Sequence, residues 1–431
     1  MSNLMIENVA ILPMSGEDSL IEKGYLIIAD DVIDRMGPGA APQESYERII
    51  DGSGQVVLPG LVNTHTHAAM TLLRGYADDL PLMEWLSTKI WPLEAKLNGE
   101  DIYWGTMLAI VEMIKSGTTT FNDMYFFMSQ AARAVENSGI RAVLSRGMIG
   151  VSPESQSALD DSRKLVAQWH GAAKGRIRFA LGPHAPYTCP PEYLKQVVAL
   201  AEELEVGIHI HISETRQEME DIVKQYGVSP VKLMLENGVF TRPTLAAHCV
   251  HVSDDDIAIL QQNRVGVAHN PESNMKLASG VAPVPAMLRA GIAVGLGTDG
   301  ASSNNNLDML EEMRSCALLH KVNSMDPTVL PAYQALEMGT ALGARALGWD
   351  DQIGILKPGY KADMIMVNLT AAHMIPRYDI LANIIYSGQA SDVDTVIVDG
   401  QIIMEHRRIT KFDEQEVLNK CKAIARDLIS R

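Results

Sequence analysis

Two histidines separated by one residue, His65 and His67, have the chemistry and spacing of metal ligands. They follow Gln55–Val62, an apolar run interrupted by Pro59-Gly60, which is typical of a buried strand. On an extended chain residues i and i+2 project to the same side, so both imidazoles can reach one point in space. Imidazole nitrogen suits a borderline cation such as zinc. Alone the pair is weak evidence, because the chain has 12 histidines.

Further polar and titratable groups follow other apolar segments of the chain. They are Arg146, His184, His211 with Glu214, His248, His269 and Asp299. A single buried histidine on a strand is usually a core residue. A series of such groups at the same strand end indicates an active site, because parallel barrels carry their sites at the C-terminal ends of the strands.

The elements that would position these groups are short apolar segments alternating with helical patterns. The eight strand candidates are Val56–Val62, Thr118–Phe121, Ile140–Leu144, Ile177–Leu181, Val206–Ile210, Thr244–Ala247, Val265–Ala268 and Ile292–Leu296. Helical patterns at Asp101–Lys115 and Met128–Asn137 precede glycines at C-cap positions. Eight βα units predict an α/β fold, a (β/α)8 TIM-type barrel. A doubly wound sheet is disfavoured because no glycine-rich dinucleotide loop follows the first strand.

Both ends of the chain have a different pattern, of short strands divided by Gly, Asp and Pro turns. This predicts a small β-sandwich built from both termini, residues 1–57 and 351–431, around a barrel of residues 58–350. The amphipathic stretch Asp413–Ile429 predicts a closing helix.

Composition limits the possible partners and location. The 36 Lys and Arg against 53 Asp and Glu give a net charge of -17, which argues against binding nucleic acid. No segment approaches ~18 unbroken apolar residues, so no membrane association is expected. The first residues lack the basic and apolar regions of a secretory signal. The four cysteines are scattered without a C-x-x-C pair, which favours the reducing cytoplasm.

Four of these segments resemble the amidohydrolase superfamily: Pro59–His67, His211–Glu214, Ala247–Cys249 and Gly297–Asp299. Four others are similar to the methylthioadenosine/S-adenosylhomocysteine deaminase family: His67–Gly75, Gly182–Tyr187, His269–Asn274 and Asp299–Asn305. The resemblance covers essentially the whole chain. It implies a metal-dependent hydrolase with a (β/α)8 barrel and a split β-sandwich.

Carried over by position, the resemblance also implies roles for individual residues. The metal ligands would be His65, His67, His211 and Asp299. Glu214 would be the acid/base and His248 would orient water, while Glu94, Arg146 and His184 would join Glu214 and Asp299 in contacting the substrate. One zinc ion per subunit is expected, because the fourth strand ends in His184 and offers no lysine to bridge two metals.

The chemistry expected of this set is hydrolytic deamination. Bound zinc lowers the pKa of a water, and the resulting hydroxide can attack C6 of a purine while Glu214 protonates the ring nitrogen. Asp299 and His248 could accept the water's proton, and Asp299 should stay charged beside the cation. The predicted substrates are small-molecule nucleosides, 5'-methylthioadenosine, S-adenosylhomocysteine and adenosine, converted to the inosine analogue and ammonia. Glu94 would accept hydrogen bonds from the ribose diol.

Several alternatives stay open at this point. The enzyme could act on another heterocycle such as guanine, a pterin or a triazine, or the barrel could be a non-catalytic scaffold. Each residue also has a structural alternative: Glu214 as a helix cap, His248 in the core, Asp299 in a turn and Glu94 on a solvent-facing helix. Trp85 could cover the substrate or pack in the core. Relatives are commonly homo-oligomers, but the sequence contains no recognisable interface stripe.

Overall fold

A computed structural model describes residues 3–17 and 19–431 as a closed parallel barrel beside a second sheet. The predicted TIM-type barrel and the extra sheet formed by both chain ends are confirmed. Residues 1, 2 and 18 of the predicted N-terminal unit lie outside the described residues. Residues 1 and 2 also begin the segment that lacks the features of a secretory signal. The boundaries at residues 57 and 350 stay a prediction.

The strands belong to two sheets. The part of the chain that is described forms, in order, β1 (Asn3–Ile11), β2 (Ile21–Ala29), β3 (Val32–Pro38), β4 (Arg48–Asp51), β5 (Gln55–Pro59), β6 (Leu61–Thr66), β7 (Thr118–Tyr125), β8 (Arg141–Met148), β9 (Ile177–Pro183), β10 (Ile208–Ile212), β11 (Thr244–His248), β12 (Gly266–His269), β13 (Val294–Leu296), β14 (Met364–Asn368), β15 (Val393–Val398), β16 (Gln401–Glu405) and β17 (Arg408–Ile409).

Strands β6–β13 pair in parallel in chain order, and the pairing of Leu296 with Asn63 closes the barrel. The second sheet has the order β17-β16-β15-β14-β5-β1-β2-β3, with β4 beside β1. Its two halves come from opposite chain ends and meet where β14 runs antiparallel to β5. Because the eight barrel strands are parallel, all of their C-terminal ends lie on one face of the barrel.

The helices lie between and after the barrel strands. Within the described ranges the α-helices are α1 (Leu82–Trp85), α2 (Trp91–Glu94), α3 (Gly99–Lys115), α4 (Met128–Ser138), α5 (Ser155–Trp169), α6 (Pro191–Glu203), α7 (Arg216–Tyr226), α8 (Pro230–Glu236), α9 (Asp254–Gln262), α10 (Pro271–Lys276), α11 (Val284–Arg289), α12 (Met309–Ser324), α13 (Ala332–Met338), α14 (Ala341–Ala346), α15 (Ile380–Tyr386) and α16 (Glu414–Ser430). A 3-10 helix, Ala68–Leu73, follows β6, and a π-helical turn, Leu86–Ile90, joins α1 to α2. Over residues 3–17 and 19–431, no helix has both the length and the apolar character needed to cross a membrane.

The predicted first strand, Val56–Val62, is two strands in different sheets. Pro59 ends β5 in the second sheet, and β6 begins after Gly60 in the barrel. A Cβ at Gly60 would lie 2.0 Å from Oγ1 of Thr119, so only glycine allows the close approach at this crossing. The chain therefore passes from one sheet to the other just before the His-x-His pair.

A buried ion pair fixes the second sheet to the barrel. Arg141, the first residue of β8, donates two hydrogen bonds to Asp363, at 2.7 and 3.0 Å, and one to Asp399 at 3.0 Å. All three side chains are nearly inaccessible to solvent. The attachment lies at the N-terminal end of β8, opposite the end that carries the candidate site.

Candidate active site

Three imidazoles and one carboxylate converge at the C-terminal ends of β6, β10 and β13. Nε2 of His65 and Nε2 of His67 each lie 3.3 Å from Oδ1 of Asp299. Nε2 of His211 lies 3.3 Å from Nε2 of His67. The structure thus brings together residues that are up to 234 positions apart in the sequence.

The other ring nitrogens of these histidines orient them. Nδ1 of His67 lies 2.6 Å from the carbonyl oxygen of Met124, and Nδ1 of His211 lies 2.7 Å from that of His184. A carbonyl can only accept, so each Nδ1 carries the hydrogen and each Nε2 presents its lone pair to the cluster. Nδ1 of His65 instead contacts another imidazole, that of His209, at 2.8 Å.

Asp299 is held by its backbone and by two serines. Its φ of +59° is in the left-handed region, and its N–H donates to the carbonyl of His65 at 2.9 Å. Oδ2 accepts hydrogen bonds from Ser273 at 2.7 Å and Ser303 at 3.1 Å, which leaves Oδ1 facing the imidazoles. Burial raises the pKa of Asp299, but the nearby imidazoles of His65, His67 and His248 lower it well below its ordinary value. Asp299 is therefore ionised at neutral pH.

The donor set fits a zinc ion. Nε2 of His65 is buried and has no well-formed hydrogen bond with the protein, which would leave a polar atom without a partner unless a cation binds there. Burial lowers the pKa of His65 to about 4, so this imidazole is neutral, as a ligand must be. Three imidazole nitrogens and a carboxylate oxygen are ligands that zinc favours.

Glu214 and His248 form a pair beside the cluster. Oε2 of Glu214 lies 3.9 Å from Nε2 of His248, and both side chains are buried. Nδ1 of His248 lies 2.9 Å from the side-chain oxygen of Asn274, which fixes the ring. Burial raises the pKa of Glu214, favouring the protonated form that a proton donor needs. Burial lowers the pKa of His248, but the carboxylates of Glu214 and Asp299 raise it above its ordinary value overall.

Glu218 is a supporting residue that the sequence analysis missed. Its carboxylate accepts the backbone N–H groups of Ser213 at 2.8 Å and Glu214 at 2.9 Å. Burial raises the pKa of Glu218 to about 7. The sequence did contain a signal for Glu218, the Thr-x-x-Glu spacing of a helix cap from Thr215 to Glu218. In the structure Thr215 caps α7 by accepting the N–H of Glu218.

A cavity beside the cluster is lined mainly by apolar and aromatic side chains. Its polar lining includes His67, His184, His211, Glu214, His248 and Asp299. Much of the rest of its lining is apolar or aromatic, namely Met70, Leu82, Trp85, Leu86, Trp91, Phe126, Ile149 and Leu277. Nδ1 of His184 lies 3.0 Å from the hydroxyl of Thr188, and Trp85 is held by a hydrogen bond from Nε1 to the carbonyl of Ala77.

Glu94 lies in this cavity on α2, and Tyr125 holds it there. The Tyr125 hydroxyl donates to Oε1 of Glu94 at 2.6 Å. Burial raises the pKa of Glu94 above its ordinary value overall, although the hydrogen bond from Tyr125 lowers it. Tyr125 was missed because the predicted second strand ended at Phe121, whereas β7 continues four residues further.

Arg146 is turned away from the cavity. Its Nη1 donates to the carbonyl of the neighbouring Gly147 at 3.0 Å, and its Nε lies 3.8 Å from Oδ2 of Asp161. The cavity is lined by Gly147 and not by the Arg146 side chain. Of the predicted substrate contacts, Arg146 is thus the one that the structure does not bring to the site.

His269, whose role the sequence left open, faces away from the cluster. Its Nε2 lies 3.2 Å from Nε2 of His320 on α12, and both rings are buried. Burial lowers the pKa of both histidines, to about 4 for His320, so the pair packs as neutral rings.

Comparison with known proteins gives a consistent result. The model of the amidohydrolase family matches residues 56–403. A 5-methylthioadenosine/S-adenosylhomocysteine deaminase of Syntrophomonas wolfei is 67% identical over 429 residues, 99% of this chain and 100% of the relative. One from Pelotomaculum thermopropionicum is 56% identical, with 100% of both chains covered. A crystal structure of an adenosine deaminase from Xanthomonas campestris with bound zinc is 34% identical, with a TM-score of 0.96, covering 100% of this chain and 99% of that one.

Proposed function

We infer the function from the family: the chain belongs to the amidohydrolase family and, within it, to the 5-methylthioadenosine/S-adenosylhomocysteine deaminases. It is a hydrolase that acts on the C–N bond of a cyclic amidine. We propose that it converts 5'-methylthioadenosine and S-adenosylhomocysteine to their inosine analogues and ammonia. The observation that carries this proposal is the meeting of His65, His67, His211 and Asp299 beside the Glu214–His248 pair.

We propose that these four side chains hold one zinc ion per chain. When bound, zinc acts as a Lewis acid that makes a water molecule acidic enough to supply a nucleophile near neutral pH. The lone pairs of the three Nε2 atoms are oriented by the contacts of their Nδ1 atoms. Asp299 supplies the negative charge of the set.

Glu214 is proposed to protonate the purine ring nitrogen next to C6. Its carboxyl lines the cavity, and burial favours its protonated form. Protonation prevents negative charge from building up on the ring as water adds to C6. The Glu218 carboxylate holds the backbone at Ser213 and Glu214, so the proton donor has a fixed position.

His248 and Asp299 are proposed to orient the attacking water and to take up its proton. That proton then passes to the amino group, the C6–N bond breaks and ammonia leaves, while the second proton of the water, carried by the C6 hydroxyl, returns to Glu214 as the carbonyl forms. His248 suits this role because its Nδ1 is occupied by Asn274 and its Nε2 faces Glu214. The reaction consumes one water and releases one ammonia per nucleoside.

The cavity supports a nucleoside substrate over a free base. Glu94 can accept hydrogen bonds from both hydroxyls of a ribose, and Tyr125 fixes one of its oxygens. The many apolar and aromatic side chains of the cavity suit a purine and a thioether substituent. His184 remains a proposed contact, whereas Arg146 would have to leave Gly147 and Asp161 to reach the substrate.

Replacement of Glu94 by glutamine tests the nucleoside assignment. Loss of the charge-assisted hydrogen bonds should lower kcat/KM for 5'-methylthioadenosine about 10- to 100-fold, from about 1.5–3 kcal/mol of lost interaction. The 2',3'-dideoxy analogue lacks the diol and should show little change. Steady-state kinetics of both substrates with both proteins give the result.

Glu84→Gln, on the neighbouring helix α1, is the matched control and should leave both substrates unaffected. Equal losses for the riboside and its dideoxy analogue in Glu94→Gln would exclude the diol contact.

We further propose that the protein acts in the cytoplasm as a homo-oligomer, with no nucleic-acid or membrane partner. The four cysteines are buried free thiols, as in proteins of a reducing compartment. The net charge of -17 disfavours contact with phosphate backbones.

A further inference from the structure

One of the three imidazoles in the cluster is oriented differently from the other two. His67 and His211 direct Nδ1 to backbone carbonyls, which only accept hydrogen bonds. Nδ1 of His65 meets Nε2 of His209 at 2.8 Å. A neutral imidazole carries one N–H and one lone pair, so this contact permits two arrangements of the hydrogen.

Only one of the two arrangements allows His65 to bind a metal. If His209 accepts, His65 carries its hydrogen on Nδ1 and its Nε2 lone pair faces the cluster. If His209 donates, the hydrogen of His65 lies on Nε2 and points at the place where the cation would bind. The proton on His209 therefore decides whether His65 is a ligand.

The surroundings of His209 favour the first arrangement. Its Nδ1 lies 3.3 Å from Oγ of Ser145, and that hydroxyl donates to the carbonyl of Asp123 at 2.9 Å. Since the Ser145 hydrogen is used there, its oxygen is free to accept from Nδ1–H of His209. The amide nitrogen of Asn122 donates one hydrogen to the carbonyl of Thr64 at 2.9 Å. It lies 3.1 Å from Nδ1 and 3.4 Å from Nε2 of His209, so it sits over the face of the ring and not in the plane of either nitrogen's lone pair. These side chains are all buried, so bulk water does not compete with the contacts.

We propose that His209 is a positioning residue that fixes the hydrogen of His65 on Nδ1, through a chain that ends at Ser145 and the Asp123 carbonyl. The proposal rests on the zinc site of the proposed function. Hydrogen-bond partners of ligating histidines fix their tautomer and raise their basicity, and losing one typically costs 10- to 100-fold in metal affinity.

The test is a zinc titration of the metal-free protein against a chromophoric chelator. His209→Leu removes the acceptor and should bind zinc about 10- to 100-fold more weakly than the wild type. His209→Gln offers an amide oxygen near the former position of Nε2 and should recover most of that affinity. Ser145→Ala leaves His209 in place without its acceptor and should weaken binding less than His209→Leu does.

His251→Leu is the matched control, because it removes an imidazole that contacts the carbonyl of Ser279 instead of the cluster. It should bind zinc like the wild type. Unfolding curves of the metal-free variants identify any that fail to fold, and Ser145→Ala then decides the question for a misfolded His209→Leu. Equal affinity of His209→Leu and wild type, or equal losses in His209→Leu and His209→Gln, would overturn the proposal. A wild type that binds zinc tightly but deaminates no nucleoside would overturn the proposed function while leaving the role of His209 standing.

Discussion

Replacing Glu214 by glutamine is expected to leave zinc bound and to lower kcat by about 10²- to 10⁴-fold, the usual contribution of a positioned acid or base. Glutamine keeps the size of the side chain but has no carboxyl proton to deliver. Glu214 lies 3.9 Å from His248 and is a proposed acid and not a proposed ligand, so the four ligands stay intact. Steady-state turnover of 5'-methylthioadenosine, with zinc content measured on the same sample, gives the result.

Glu220→Gln is the matched control, an exposed glutamate of α7 six residues further along the chain. Its turnover and metal content should equal those of the wild type. Near wild-type turnover in Glu214→Gln would rule out the proton-transfer role. Loss of zinc together with turnover would instead make Glu214 part of the metal site.

Replacing His211 by alanine is expected to remove zinc and activity together. Alanine leaves three ligands, and it also removes the ring that lies 3.3 Å from His67 and packs at a centroid distance of 4.8 Å from His65. The metal content of the purified protein should fall from about one equivalent to a small fraction of one. Elemental analysis and a turnover assay on one preparation measure both effects.

His251→Ala is the control for loss of an imidazole. This ring contacts the carbonyl of Ser279 at 2.7 Å and is not one of the four ligands, so zinc should be retained. A His211→Ala protein that keeps a full equivalent of zinc would show that the four-residue ligand set is wrong.

The sequence predicted the barrel and the meeting of polar groups at one end of it for a physical reason, whereas the choice of ligands among them came from the family resemblance. Strands of a closed barrel alternate inward and outward, and their C-terminal ends meet at one face, so polar groups that follow apolar runs must come together. His65, His211 and Asp299 follow such runs and do meet.

Features that depend on a side chain's direction or partner could not be predicted in this way. Arg146 also follows an apolar run at the C-terminal end of a strand, yet its side chain turns back and donates to the carbonyl of Gly147. Tyr125 reaches Glu94 only because β7 continues through the polar pair Asn122-Asp123, which resembles a turn in sequence but is buried in the barrel. The switch of sheets at Gly60 depends on contact with Thr119, 59 residues away, which no local pattern contains.

The central claim is that this protein deaminates nucleosides, and one measurement tests it most directly. The zinc-loaded protein is assayed with 5'-methylthioadenosine, S-adenosylhomocysteine, adenosine and guanine, and ammonia and the purine product are both quantified. We expect the two 5'-thio nucleosides to be converted to their inosine analogues with one ammonia released per turnover, and guanine to be left unchanged. Activity confined to the free base, or consumption of nucleoside without ammonia, would contradict the assignment.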